Sequence, residues 1–151
     1  MNLEALYQDI ILDHYKNPRG KGLLEHPLAS AFHVNPTCGD EITVEVGVDE
    51  SGGLRIGYEG QGCSISQASA SVLVELLQGK SMVESEQARL AFIDLMHSKG
   101  VGEPDEDVLG DAVAFAGVAK FPARVKCALL AWMALQDAEI QAGLLTTGEQ
   151  T

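Results

Sequence analysis

Residues 42–77 read ITVEVGVDESGGLRIGYEGQGCSISQASASVLVELL, and this stretch decides the fold. Ile42 to Val48 alternates, which places Ile42, Val44, Val46 and Val48 on one face of a strand. Ser51-Gly52-Gly53 is a turn and Leu54 to Glu59 is the returning strand, so the pair forms an antiparallel hairpin. After Gly60-Gln61-Gly62 the pattern changes abruptly to that of a helix. Ser64, Ser66 and the small residues Ala68 to Ser71 open it, Val72 to Leu77 carry its apolar face, and Gly79 ends it. A small antiparallel sheet with helices packed on it, an α+β domain, is the expectation.

Working outward, Leu3 to Lys16 reads as an amphipathic helix with Leu3, Leu6, Tyr7, Ile10, Ile11 and Tyr15 on one stripe. Asn17-Pro18 ends it, because a residue before proline is pushed out of the helical region. Ala29 to Val34 reads as a further strand before Asn35-Pro36. On the other side, Ser81 to Ser98 is a second amphipathic helix, with Met82, Leu90, Ile93 and His97 among its inward positions. Val101 to Asp111 is a connection rich in Gly, Pro and acid, followed by a short helical segment through Val113 and Val118. Pro122 suits the first turn of a last long helix running to about Ala142. One compact domain over residues 1–143 with a polar tail at 144–151 is expected.

The 151 residues are 46% hydrophobic, enough for one domain with a real core. Asp and Glu outnumber Lys and Arg by 22 to 10, for a formal net charge of -12. Such a field repels phosphate backbones, so nucleic-acid binding is excluded and a partner with a basic patch is favoured. Glu4, Asp9 and Asp13 interrupt the place where an export signal would carry its apolar run. The longest apolar stretch, Cys127 to Leu135, is far short of the roughly 20 residues of a membrane span. A cytoplasmic protein without membrane contact is expected.

Three cysteines is an odd count for a disulfide framework, which leaves packing, metal ligation or nucleophilic chemistry. Cys38 and Asp40 flank Gly39 at the entry to a strand, where a loop presents side chains outward. Cys63 stands at a strand-to-helix junction, where free amides favour a thiolate. The glycines around it match no phosphate-binding pattern. Cys127 lies on an apolar helix near Arg124 and Lys126, two cations that lower a thiol pKa and offset an anionic metal site. Each cysteine alone also reads as ordinary core packing, and no CxxC pair is present. Together, three thiolates and one carboxylate complete a four-coordinate zinc site with a formal charge of about -2. His14, next to Asp13 near a helix end, reads as a surface or capping residue, and none of His14, His26, His33 and His97 is assigned as a ligand. Glu84, Glu86 and Asp94 read as a solvated helix face.

The ordered blocks DHYKNPRGKG, NPTCGDEI, GQGCSISQASAS and KFPARVKCALLAW closely resemble the SufU branch of the IscU/NifU-type scaffold superfamily, from Leu3 to about Ala138. The resemblance implies a three-stranded antiparallel sheet with several helices against it. It implies one zinc ion per chain held by Cys38, Asp40, Cys63 and Cys127. Classical scaffolds carry a His before the third Cys, where this chain has Lys126, and a shorter segment between the second and third Cys. Here Cys127 follows Cys63 by 64 positions (127 − 63), which leaves room for the helix at Ser81 to Ser98. Both departures resemble SufU.

The implied activity is sulfur transfer in iron–sulfur cluster assembly. A SufS-type, pyridoxal-phosphate cysteine desulfurase would be the donor and further Suf assembly proteins the downstream partners. Docking of the desulfurase would supply a replacement His ligand and free Cys38 to accept persulfide sulfur, with Arg124 assisting exchange or docking. Two alternatives stand beside this reading: a scaffold that carries a transient [2Fe–2S] cluster, and a zinc ion that only staples the fold.

Overall fold

A computed structural model of the chain describes residues 3–146. Helix α1 (Leu3–Lys16) leads by a loop into strands β1 (Ala29–Asn35), β2 (Asp40–Val48) and β3 (Leu54–Gln61). Helices α2 (Ser64–Leu77), α3 (Met82–Met96) and α4 (Glu106–Leu109) follow, then a 3-10 helix over Gly110–Lys120 and the long α5 (Pro122–Gln141). The strands form one antiparallel sheet in the order β1-β2-β3. The expected α+β architecture, a three-stranded antiparallel sheet under several helices, is the one observed. No helix among the described residues is long and apolar enough to cross a membrane.

Alternation drives the sheet: Ile42, Val44 and Val46 point into the core, and Glu41, Thr43 and Glu45 point away from it. The pairing Asn35↔Asp40 closes β1 onto β2 around the four-residue loop Pro36-Thr37-Cys38-Gly39. At the other edge, Gly22 exchanges both backbone hydrogen bonds with Tyr58, at 2.7 and 2.9 Å, so the loop after α1 covers β3. Small residues let α2 approach α5 closely. Ser69 Oγ donates to the Ala128 carbonyl at 2.6 Å and accepts from Trp132 Nε1 at 3.0 Å.

The readings of two helices, α1 and α3, are corrected. On α1, Leu3, Leu6 and Tyr15 are exposed, whereas Tyr7, Ile10, Ile11 and His14 face inward. On α3, Leu90 and His97 are exposed and the buried positions are Ser85, Ala88, Arg89, Phe92, Leu95 and Met96. Phe92 stacks on Trp132 with ring centroids 4.4 Å apart and meets Phe115 edge-on at 5.8 Å, so this extra helix is built into the core. Ser81 and Glu84 form a reciprocal capping box at its start, and Glu86 pairs with buried Arg89, so two of the three acids read as a solvated face have structural partners. Beyond α5 the backbone closes on Gly143. The amides of Gly143 and Leu144 donate to Ile140 and Glu139, the double bond of a glycine-closed helix end, and Leu145 is buried. The rest of the expected tail, residues 147–151, lies outside the described residues.

Candidate metal centre

The β1–β2 loop, the β3–α2 junction and the second turn of α5 meet at one end of the sheet. Each brings one part of the donor set. The loop carries exposed Cys38, and Asp40, the first residue of β2, is 1% exposed. Cys63 is the N-cap of α2 yet makes no capping bond with its side chain, which turns toward the site instead. Its Sγ lies 3.9 Å from Asp40 Oδ2. Cys127 is fully buried, with its Sγ 3.4 Å from Cys38 Sγ.

Donor atoms of Cys38, Asp40 and Cys127 all lie within 4.8 Å of one another, and Cys63 stands on their rim beside Asp40. A tetrahedron with metal–sulfur bonds of about 2.3 Å has sulfur–sulfur edges of roughly 3.8 Å. The observed sulfur–sulfur separation of 3.4 Å is near that size, and the sulfur–oxygen separation of 3.9 Å is close to the slightly shorter edge a carboxylate donor gives, so the donor set suits a cation of zinc's radius and softness.

Electrostatics point the same way. Burial pushes the Cys127 thiol far above the ordinary thiol range, and Asp40, Cys38 and Cys63 beside it push it further. Without a cation the Cys127 thiol holds its proton, and a divalent ion beside it reverses that preference.

Two residues that the sequence reading did not assign to the site, Gly62 and Asn35, support the donors. Asp40 Oδ1 accepts the Cys63 amide at 2.8 Å, which locks the carboxylate to the start of α2. A Cβ at Gly62 would overlap Asp40 Oδ1 and come within 2.8 Å of Ser66 Oγ, so only glycine fits there. Asn35, opposite Asp40 in register, is buried with Nδ2 3.8 Å from Cys127 Sγ. The strand pairing carries the signal for Asn35, since a residue opposite a ligand on a hairpin faces the same pocket.

Arg124 is exposed on the first turn of α5 and has no ion-pair partner among the described residues. It lines a groove of about 900 Å³ between α1 and the 3-10 helix, together with Ile65, Tyr7 and Phe121. Lys126 is exposed too. His26 and His97 stay at the surface, and His33 pairs with Asp137 at 3.1 Å. His14, expected at the surface, is instead fully buried. It sits one turn beyond Ile10 and Ile11 on the inner stripe, and partners at both ring nitrogens satisfy it there.

Fold and site together define a small α+β protein that presents three thiols and a carboxylate at the end of its sheet. The chain belongs to the family of NifU-like N-terminal domains, whose profile matches residues 6–128. It is 44% identical over 136 residues to the zinc-dependent sulfurtransferase SufU of Bacillus subtilis (strain 168), covering 89% of this chain and 90% of that protein. It is 41% identical over 138 residues to the iron–sulfur cluster assembly scaffold protein IscU of Streptococcus pyogenes serotype M1, covering 90% of this chain and 84% of that one. Among solved structures it is similar to a protein of Fervidobacterium islandicum AW-1, described as an iron–sulfur cluster assembly scaffold for the SUF system. That match has a TM-score of 0.75 and 34% identity, over 91% of this chain and 98% of the other.

Proposed function

We propose that this protein is a zinc-dependent sulfurtransferase of iron–sulfur cluster assembly, acting in the cytoplasm and taking persulfide sulfur from a cysteine desulfurase of the SufS type for delivery to downstream Suf assembly proteins. The observation that carries the reading is the contrast among converging donors. Cys127 and Asp40 are buried and fixed, whereas Cys38 is exposed on a short loop where a partner can reach it. The similarity to a zinc-dependent sulfurtransferase supports it.

Cys38, Asp40, Cys63 and Cys127 would hold one zinc ion, which keeps the thiols deprotonated at neutral pH. The Cys38 thiolate attacks the outer sulfur of the desulfurase persulfide. A new sulfur–sulfur bond forms on Cys38, the donor's bond breaks, and the desulfurase cysteine leaves as a thiolate. Gly39, at φ +71° with open space around it, lets the loop turn tightly beside the nucleophile. Arg124, exposed on the neighbouring groove, supplies positive charge for docking or exchange.

The test pairs zinc content with persulfide mapping by mass spectrometry after incubation with desulfurase and cysteine. Cys38→Ala should keep substantial zinc on the remaining three donors and lose all stimulation of the desulfurase. Persulfide on Cys63 or Cys127 with Cys38 unmodified would refute the assignment.

The second reading, a scaffold for a transient [2Fe–2S] cluster, is favoured by the similarity to the streptococcal scaffold. Brown, iron-loaded protein as isolated would support it. Colourless protein with about one zinc supports sulfur transfer, or a zinc that only staples the fold if desulfurase turnover is unaffected.

A further inference from the structure

A second cluster of metal-ligating side chains lies where α1, α2 and the 3-10 helix meet, away from the thiols. His14 is fully buried there, and its Nε2 faces two carboxylates at once: Asp111 Oδ2 at 2.8 Å and Glu75 Oε2 at 3.1 Å. The three ligand atoms all lie within 4.8 Å of one another. On the other side of the ring, Nδ1 lies 2.7 Å from Ser71 Oγ, which also accepts the Arg19 amide at 2.9 Å. The imidazole therefore has one orientation, with Nε2 aimed between the two acids.

A ring nitrogen carries at most one hydrogen, and two carboxylates compete for it. The Arg19 guanidinium pairs with Asp13 at 2.8 Å and reaches Glu75 only at 3.8 Å. A divalent cation on the three atoms removes the mismatch. It accepts a lone pair from Nε2 and from each carboxylate, and the Nδ1 hydrogen goes to Ser71 Oγ, the outer hydrogen bond that ligating imidazoles keep. The side chains of Glu75 and Asp111 are 45% and 46% exposed, so an ion has an entry path and water can complete its shell.

We propose that His14, Glu75 and Asp111 form a second cation site, taking a first-row divalent ion such as Mn²⁺, Fe²⁺ or Zn²⁺. One imidazole and two carboxylates accept harder ions that a thiolate cluster holds poorly, so the two sites differ in chemistry. They differ in place as well. Ser71 stands eight residues after Cys63, about 12 Å along the axis of α2. Occupation ties α1 to α2 and to the 3-10 helix through a single ion.

Titration of the protein as isolated with Mn²⁺, reading free Mn²⁺ by its paramagnetic resonance signal, tests the site without disturbing zinc on the thiols. Wild type should bind one Mn²⁺ per chain, and the ion should broaden the His14 ring resonances. Asp111→Asn and Glu75→Gln, at half-exposed positions that keep their size, should each weaken binding about tenfold or more with bound zinc unchanged. Melting curves of both variants check that the fold is intact. Absence of saturable Mn²⁺ binding to wild type overturns the proposal. Equal binding by wild type and both variants, the mark of diffuse association with an acidic surface, overturns it too.

Discussion

Replacing Asp40 by Asn and by Ala separates the two tasks of this carboxylate. One is structural: Oδ1 accepts the Cys63 amide at 2.8 Å from a side chain only 1% exposed. A charge-assisted buried bond of this kind contributes about 1.5–3 kcal/mol. Ala removes it and leaves the amide without an acceptor. Asn retains an oxygen in the same place. A loss of about 2 kcal/mol in a domain of this size lowers the melting temperature by roughly 4–8 °C. Zinc-stripped Asp40→Ala should therefore melt that much lower than stripped wild type, with stripped Asp40→Asn close to wild type. The other task is ligation, and both variants lose the anionic donor. Zinc affinity, measured by competition with a chromophoric chelator, should fall in both by at least the 10–100-fold that losing even an outer-shell partner costs. Wild-type affinity in both variants would remove Asp40 from the ligand set. Equal destabilisation of the two stripped variants would refute the argument from the Cys63 amide.

Gly62→Ala removes no donor yet should disturb one, because its methyl group claims the space of Asp40 Oδ1. A stability loss of about 1–3 kcal/mol and faster zinc release are expected, read by melting and chelator competition. Burial, with Glu86 second, raises the Glu139 carboxyl from 4.5 to about 7, and its Oε1 has no hydrogen-bond partner. A raised carboxyl stabilises the fold fully below about pH 4.5 and loses that contribution as pH rises through 7, so Glu139→Gln should melt higher than wild type at pH 8. The gain is on the order of 3 kcal/mol and should vanish below pH 5; a gap independent of pH refutes the assignment. The raised Cys127 thiol predicts opposite pH responses for stripped and loaded protein. Stripped protein should lose stability as pH rises past the ordinary thiol value of about 9, where the unfolded chain ionises and the folded one does not. Loaded protein, with its thiol already deprotonated, should gain stability up to that pH, and parallel melting profiles would contradict this.

The linear chain determined its elements, because turns and periodicity are local. The hairpin of Ile42 to Glu59, the helix opened by Ser64 and the helix started by Pro122 are all read from neighbours within a few positions. It also determined which residues offer soft donors, since only three thiols exist to choose from. Tertiary structure decided everything that depends on a partner distant in sequence. The inner stripes of α1 and α3 rotated away from the apolar count because Ser71 and Asp111 satisfy His14, and Glu86 satisfies Arg89. Such polar residues can be buried only where a partner waits, and the partner of His14 is 97 positions away at Asp111. Gly62 looked like one more loop glycine until Asp40, more than twenty residues earlier, took the space its side chain would need. Burial of Cys127 against exposure of Cys38 has the same origin. A thiol's reactivity depends on the solvent, charges and amides around it, and those are assembled only when β1–β2, β3–α2 and α5 close on one another.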